Sequence, residues 1–167
     1  MESRSIKRNV ALVEKCAMSR VGIENLFNTM PDDQYALHLF SNQPAFSQAM
    51  LKMSFSAVIF SLSAIRTDRR AGLAYLTEMA INFPRIRRVV IADDDAEARL
   101  IGSLSPLPLD GVVSKASSLT VLQEALFTSL NCPTRTTESA KNHWFINQSR
   151  VLSPTEREFD AADCRSA

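Results

Sequence analysis

Two short segments of this chain are apolar over consecutive residues, and they limit the fold more than any other feature. They read SAVIFSL at 56–62 and RRVVIA at 87–92. A strand with one solvated face alternates apolar and polar residues, whereas a strand covered on both faces is a continuous apolar run. These segments therefore predict central strands of a parallel sheet that has helices on both sides.

Strand-like and helix-like segments alternate along the rest of the first 130 residues. Segment 19–30 is predicted to be a helix that contributes Val21, Leu26 and Phe27 to the core. Pro84 ends the amphipathic segment at 68–83. We expect strands at 9–15, 35–40, 56–62, 87–92 and 111–115, and helices at 19–30, 44–53, 68–83, 93–104 and 117–130. This alternation predicts an α/β fold with a doubly wound, five-stranded parallel sheet and right-handed crossovers.

Composition excludes several classes of protein. Hydrophobic residues make up 46% and charged residues 22% of the 167 residues, values typical of a soluble globular domain. A net charge of +1 argues against a chain dominated by nucleic-acid binding. Cys16, Cys132 and Cys164 are far apart and odd in number, which indicates free thiols. With no signal peptide and no apolar run near ~18 residues, a cytoplasmic location is expected.

The amino-acid composition changes after Leu130. Segment 131–150 is polar and rich in helix breakers, which predicts a linker between a domain at 6–130 and a segment at 151–167. This last segment opens with the signals of a helix start, since Ser153 suits an N-cap and Glu156 follows three residues later. Few apolar residues follow, so we expect an incomplete module there.

Chemistry-bearing residues lie where the predicted strands end. Glu14 and Lys15 end the first strand, Ser61 the third, Ala92 the fourth and Lys115 the fifth. In doubly wound sheets, ligands bind outside the carboxyl ends of the strands. These five residues are therefore the candidate site.

This set, in this order, resembles the receiver domain of bacterial response regulators. LSPTERE at 152–158 resembles the start of the LuxR-type helix-turn-helix that such receivers often carry. KRNVALVEKC, VVIADDD and INQSR narrow the resemblance to the BglJ-type transcriptional activators of enterobacteria, relatives of the Rcs regulators. It runs from Ile6 to Glu158, and it implies the flavodoxin-like strand order 2-1-3-4-5.

The resemblance also implies a degenerate phosphorylation pocket. Glu14 and Lys15 fall on the acidic pair that holds Mg²⁺, Ser61 on the phosphoacceptor aspartate, and Ala92 on the hydroxyl position, while Lys115 is retained. Serine is a poor nucleophile without an activating base, and Mg²⁺ favours carboxylate oxygens. Three of these residues carry charge, for a formal total of +1, which disfavours a divalent cation. We expect the phosphorylation chemistry to be lost.

Structural roles compete with functional ones at several positions. The alternative interpretation of Glu14 and Lys15 is a pair of solvated neighbours at a strand end, and that of Lys115 is an ion-pair partner of Glu14, Asp93 or Asp94. The acidic run at 93–95 favours helix caps over a metal site.

Two arginine clusters, the lone histidines and one thiol complete the candidates. We expect the arginine clusters to form a solvated rim of the domain or, second, to contact a partner, and not to bind DNA. The histidines are not arranged with a nucleophile. We expect Cys16 to be a packed thiol and not a reactive one. The clusters are Arg66, Arg69 and Arg70, then Arg85, Arg87 and Arg88; the histidines are His38 and His143.

The functional expectation follows from the resemblance. It implies a phosphorylation-independent transcription regulator without enzymatic activity, cofactor or metal, which forms a heterodimer with an RcsB-type regulator and activates silenced operons such as a β-glucoside operon. Because the resemblance ends at Glu158, we expect no DNA binding by this chain itself. The remnant of the DNA-binding module consists of Leu152, Ser153, Pro154, Thr155, Glu156, Arg157 and Glu158.

Two rival hypotheses remain. A flavodoxin-like ligand-binding module or enzyme would use the same sheet, but the chain has four glycines and no glycine-rich loop after the first strand. The other rival is a receiver that still accepts phosphate, at Ser61 or elsewhere.

Overall fold

Five parallel strands form one sheet in the order β2-β1-β3-β4-β5. The computed structural model of the chain describes residues 6–30 and 33–131. The strands are β1 Arg8–Val13, β2 Tyr35–Phe40, β3 Ala57–Ser61, β4 Arg87–Ala92 and β5 Gly111–Ser114. The helices are α1 Ala17–Asn28, α2 Gln43–Met50, α3 Arg66–Asn82, α4 Asp95–Leu104 and α5 Leu119–Asn131. The predicted doubly wound sheet and its strand order are confirmed.

The helices cover both faces of the sheet, as the continuous apolar strands require. Val10 and Leu12 of β1 pack with α1 and α5, whereas Ala11 and Val13 face α2, α3 and α4. This alternation splits the core into two layers, one on each side of the sheet. Strand side chains that are fully buried include Val58, Ile59, Val89, Val90 and Ile91. Because helices cover both faces of the sheet, the centres of these strands carry aliphatic side chains on both faces.

Several predicted boundaries shift by a few residues. The first strand ends at Val13, because the next residues turn into α1, and the guanidinium of Arg20 binds the carbonyl oxygens of Glu14 and Lys15 at 2.7 and 2.9 Å. Helix α4 begins at Asp95, since the side chain of Asp94 caps it.

The buried face of α1 differs from the prediction. Val21 is 56% exposed, so its assignment to the core is wrong, and Ile23 takes that role beside Leu26. Positions three or four apart share a helix face, and position 21 lies outside the face that holds 23 and 26. Phe27 is half-buried against the same layer.

One glycine sets how closely α3 approaches β3. A Cβ atom on Gly72 would lie 2.2 Å from Cδ2 of Leu62, the residue that follows β3. Glycine therefore lets the backbone of α3 pack directly against the end of the strand. This contact places the first turns of α3 beside the carboxyl end of β3.

Several of the predicted segments and residues lie outside the described residues. The predicted linker beyond Asn131, the segment at 151–167 with its site residues 152–158, and Cys132, His143 and Cys164 all lie there. Within the described ranges, no helix is both long and apolar enough to cross a membrane.

Candidate functional site at the carboxyl edge of the sheet

The ends of β1, β3, β4 and β5 meet at one edge of the sheet, which we call the carboxyl edge. A cavity of about 470 Å³ opens there, and Glu14, Lys15, Ser61 and Lys115 line it. Ala92 is fully buried beneath, where its carbonyl oxygen accepts a hydrogen bond from the backbone N–H of Lys115 at 2.9 Å. The structure therefore brings four of the five predicted residues to one cavity and places the fifth under its floor.

Glu14 and Lys115 form an ion pair across this cavity. The Nζ atom of Lys115 lies 2.9 Å from Oε2 of Glu14, and the backbone N–H of Cys16 donates to Oε1 at 3.0 Å. Glu14 is 5% exposed, while the side chain of Lys115 is 28% exposed. Both carboxylate oxygens of this buried acid are thus occupied by donors from within the fold.

These donors decide the protonation state of Glu14. Burial by itself would raise the pKa of Glu14, but hydrogen bonds from Ser61, from the Cys16 backbone and from Lys115 outweigh it. The pKa of Glu14 is therefore lowered, and the residue remains a carboxylate at neutral pH. A carboxylate with a lowered pKa is a weak base, so it activates the Ser61 hydroxyl poorly.

The acidic run at 93–95 divides between the cavity and the start of α4. Asp93 lines the cavity, where Oδ1 lies 3.8 Å from Nζ of Lys115 and Oδ2 accepts from the N–H of Ala64 at 3.2 Å. Asp94 instead accepts from the N–H of Glu97 at 2.8 Å, so the idea that it pairs with Lys115 is wrong. Across residues 6–30 and 33–131, no group of three or more His, Cys, Asp or Glu is placed to hold a metal ion.

Lys15 and Glu14 differ sharply in environment despite being neighbours. The side chain of Lys15 is 78% exposed and its Nζ lies 3.7 Å from Oδ2 of Asp68 in α3. Solvation of both residues was one expectation; it holds for Lys15 and is wrong for Glu14.

The expected cavity charge of +1 is also wrong. Asp68 and Asp93 line the cavity as well, so three carboxylates and two lysines give a formal charge of −1. Strand ends alone do not reveal Asp68, because it comes from the first turn of the helix after β3. The acidic residue at that helix start was the signal that would have found it.

Cys16 is an exposed thiol at the mouth of the cavity, so its assignment as a packed thiol is wrong. It occupies the N-cap position of α1 and belongs to neither core layer. Hydrogen bonding from the backbone of Ser19, then from its side chain and from the backbone of Met18, lowers the pKa of the Cys16 thiol.

The arginine clusters are only partly a solvated rim. Arg66, Arg70 and Arg85 are exposed, as expected. Arg88 is instead 8% exposed, because its guanidinium turns inward to backbone carbonyl oxygens, and burial lowers its pKa. Arg69 is bound to Glu97.

His38 has a structural environment on β2. Its Nε2 lies 3.1 Å from Oδ1 of Asn9, and its ring meets Phe55 edge-on at 5.7 Å between centroids. It does not line the cavity.

Comparisons with known proteins define the family. No family model matches the chain. It is 61% identical over 156 residues to the transcriptional activator protein BglJ of Escherichia coli strain K12, an alignment that covers 93% of this chain and 69% of BglJ.

Similar solved structures show the same fold. They include the isolated REC domain of RcsB from Salmonella enterica serovar Typhimurium, with a TM-score of 0.61 and 19% identity over 82% of this chain and 98% of that one. HP1043, an orphan response regulator of H. pylori, gives a TM-score of 0.57 and 16% identity over 74% and 97%.

Longer RcsB chains match as well. RcsB bound to promoter rprA gives a TM-score of 0.60 and 20% identity over 74% of this chain, which spans 61% of the length of that RcsB chain. The solved structures show that the fold is that of a receiver domain. The identity of 61% to BglJ, over most of both chains, shows the family. The chain belongs to the family of the transcriptional activator BglJ, and its described part is the receiver-like domain of a transcription regulator.

Proposed function

We propose that this chain activates transcription as a phosphorylation-independent partner of an RcsB-type response regulator. The observation that carries the proposal is the buried Glu14–Lys115 ion pair, with Nζ and Oε2 2.9 Å apart. In the receiver domains that the chain resembles, this cavity would hold Mg²⁺ and a phosphoryl group. Here two lysines of the chain itself neutralise part of its charge.

Three features of the cavity oppose phosphoryl transfer. Ser61 stands where the resemblance places the phosphoacceptor, and a serine hydroxyl gives Mg²⁺ no charged ligand. Lys15 puts a cation at the second acidic position. Glu14 already accepts hydrogen bonds on both carboxylate oxygens, so a metal ion would have to displace Lys115 or the Cys16 N–H.

The same ion pair supports a domain that works without a signal. Glu14 follows β1 and Lys115 follows β5, so their contact joins strands at different positions in the sheet. Because donors and acceptors are matched inside the fold, this arrangement needs no ligand to persist. The surface offered to a partner regulator is then available at all times.

We assign DNA recognition to the heterodimer and not to this receiver-like domain. Arg88 is buried, Arg69 is paired with Glu97, and Arg87 donates to the carbonyl oxygen of Ser129 at 3.1 Å. These arginines stabilise the fold and are not free for phosphate contacts. A silenced operon of the β-glucoside type is the target that the family resemblance implies.

A binding titration tests the proposal. The full 167-residue chain is titrated against an RcsB-type regulator whose phosphoacceptor aspartate is replaced by alanine, with and without a small phosphodonor and Mg²⁺. We expect a complex with the same Kd in both conditions, because this chain has no phosphorylation step. A complex that requires the phosphodonor would contradict phosphorylation independence, and no complex at micromolar concentrations would contradict the partnership.

The cavity keeps one alternative function open to test. Its volume of about 470 Å³ falls within the range of small-molecule pockets. A ligand-binding module predicts that the chain, purified from its host and measured by native mass spectrometry, carries a bound small molecule. We expect the mass of the unliganded chain, since lysine–carboxylate pairs already occupy the charged groups of the cavity.

A further inference from the structure

Helix α4 packs on the sheet through a narrow apolar face. Ile101 and Gly102 are its buried residues, whereas Leu100 and Leu104 are 37% and 48% exposed. Helix α3 on the same face buries Leu73, Leu76 and Met79. Elements with few buried apolar side chains open locally at low free-energy cost, so polar contacts at the ends of α4 would add to its stability.

A buried ion pair holds the first turns of α4. The Nη1 atom of Arg69 in α3 lies 3.0 and 2.9 Å from the two carboxylate oxygens of Glu97 in α4. The side chains of Arg69 and Glu97 are 11% and 18% exposed. Charge-assisted hydrogen bonds of this kind are shorter and stronger than neutral ones, particularly where water is excluded.

The guanidinium of Arg69 is enclosed well enough to leave one nitrogen without a partner. Its Nε is buried and has no hydrogen-bond partner among the described residues. A buried polar atom without a partner costs free energy, so the contact with Glu97 must offset that cost.

A second guanidinium holds the chain that leaves α4. Nη2 of Arg88 donates to the carbonyl oxygen of Pro108 at 2.6 Å, and Nη1 donates to that of Leu76 in α3 at 3.2 Å. The backbone of Arg88 also forms two hydrogen bonds with Asp110. The backbone N–H of Asp110 donates to the Arg88 carbonyl oxygen at 2.9 Å, and the Asp110 side-chain oxygen Oδ2 accepts from the Arg88 N–H at 2.8 Å. Segment 105–110 is thereby fixed to β4 and to the end of α3.

We propose that Arg69 and Arg88 form two internal clamps that fix both ends of α4 in one position, with no bound ligand required. The clamps add to the packing of Ile101 and Gly102 against the sheet. Their consequence for partner binding rests on the proposed function, whereas their effect on α4 itself does not.

Hydrogen exchange followed by mass spectrometry on the full chain tests the first clamp. In Glu97→Gln, we expect the amides of α4 to exchange about tenfold faster, while those of β1 and α5 stay unchanged. Asp95→Asn is the matched control, because it removes an exposed carboxylate from the same helix turn and Asp95 has no ion pair within the described ranges. Equal exchange of α4 in both variants would show a helix-dipole effect and overturn the clamp.

The double variant Arg69→Gln/Glu97→Gln guards against a general loss of stability. It restores a neutral hydrogen-bonding pair, so α4 exchange should move back toward that of the unmodified chain. The single variant Arg69→Gln is measured alongside. If the increase in α4 exchange in the double variant equals the combined increases of Arg69→Gln and Glu97→Gln, the two residues act independently and the proposal is wrong.

Arg88→Met tests the second clamp, because methionine fills the buried volume without donating hydrogen bonds. We expect faster exchange confined to 105–110 and the end of α4. Exchange that rises equally in β1 and α5 would indicate global destabilisation, and unchanged exchange in 105–110 would remove Arg88 from the proposal. If α4 loosens in these variants while the RcsB-type regulator still binds with unchanged Kd, the clamps exist but do not serve the partnership.

Discussion

The interior of the sheet and its carboxyl edge follow different rules in this molecule. In the interior, Val10, Leu12 and Ile59 are fully buried aliphatic residues, as a sheet covered on both faces requires. At the edge, Lys15 and Ser61 stand at positions where the resemblance to receiver domains implies acids. The fold depends on the interior, so the edge can change its chemistry while the fold persists.

Glu14 connects the two regions. It belongs to the edge by position, but it is buried almost as deeply as the core. A buried carboxylate is tolerated because Lys115 and the Cys16 N–H bind it. Changes at Glu14 should therefore cost more than changes at the exposed edge and less than changes in the interior.

The largest effect is expected in the interior. Ile59→Ala removes a fully buried side chain from the core layer under α1 and α5 and should lower the free energy of unfolding by about 2–5 kcal/mol. Urea unfolding followed by circular dichroism measures the change. Leu119→Ala is the control, since Leu119 is 70% exposed and its loss should stay within about 0.5 kcal/mol. Equal losses of unfolding free energy in the two variants would contradict the view that the interior, and not the surface, determines the stability of the fold.

An intermediate effect is expected for Lys115→Met. This change leaves the Glu14 carboxylate buried without its cation and should cost about 1–3 kcal/mol at neutral pH. The pKa of Glu14 should rise, because burial is then opposed by fewer donors. The double variant Glu14→Gln/Lys115→Met should recover part of the loss in the same urea titration. If the single and double variants are equally unstable, the ion pair is not the cause.

A smaller effect is expected in the pH dependence of stability. Because the pKa of Glu14 is lower in the folded chain than its ordinary value of 4.5, ionised Glu14 stabilises the fold above that pH. This contribution is lost as the pH falls from 4.5 through the lowered folded pKa, with a slope of at most about 1.4 kcal/mol per pH unit.

The variant Glu14→Gln isolates this contribution. Its unfolding free energy should fall less steeply than that of the unmodified chain below pH 4.5, measured as urea midpoints across a pH series. Identical acid limbs for the two proteins would mean that Glu14 is not held in its charged form.

The smallest effect is expected for Lys15→Ala. The Lys15–Asp68 contact spans 3.7 Å between side chains that are 78% and 43% exposed, so it should contribute no more than about 0.5 kcal/mol. Thermal unfolding at low and high salt checks this, because the residual contribution should vanish when salt screens the pair. A loss as large as that of Lys115→Met would place Lys15 among the buried groups.

The sequence allowed much of the fold to be predicted because the interior imposes a pattern. Apolar runs at 56–62 and 87–92 predicted β3 and β4, and the strand ends predicted which residues meet at the cavity. Strand periodicity is set by burial, which is read directly from residue types.

The environment of individual polar side chains was harder to predict. Arg88 looks like a surface residue in sequence, but carbonyl oxygens from α3 and from segment 105–110 draw it inward. Asp68 reaches the cavity from α3, and Cys16 is held outward at a helix N-cap. The placements of Arg88 and Asp68 depend on contacts between residues distant in sequence, which periodicity does not encode.

The most direct test of the separation between fold and chemistry is the intact mass of this chain after incubation with a small phosphodonor and Mg²⁺. An RcsB-type regulator in the same reaction serves as the positive control and should gain one phosphoryl group. The chain itself should keep its mass, because Glu14 activates Ser61 poorly and is already paired with Lys115. A stoichiometric phosphoryl adduct on this chain, lost in Ser61→Ala, would contradict the account.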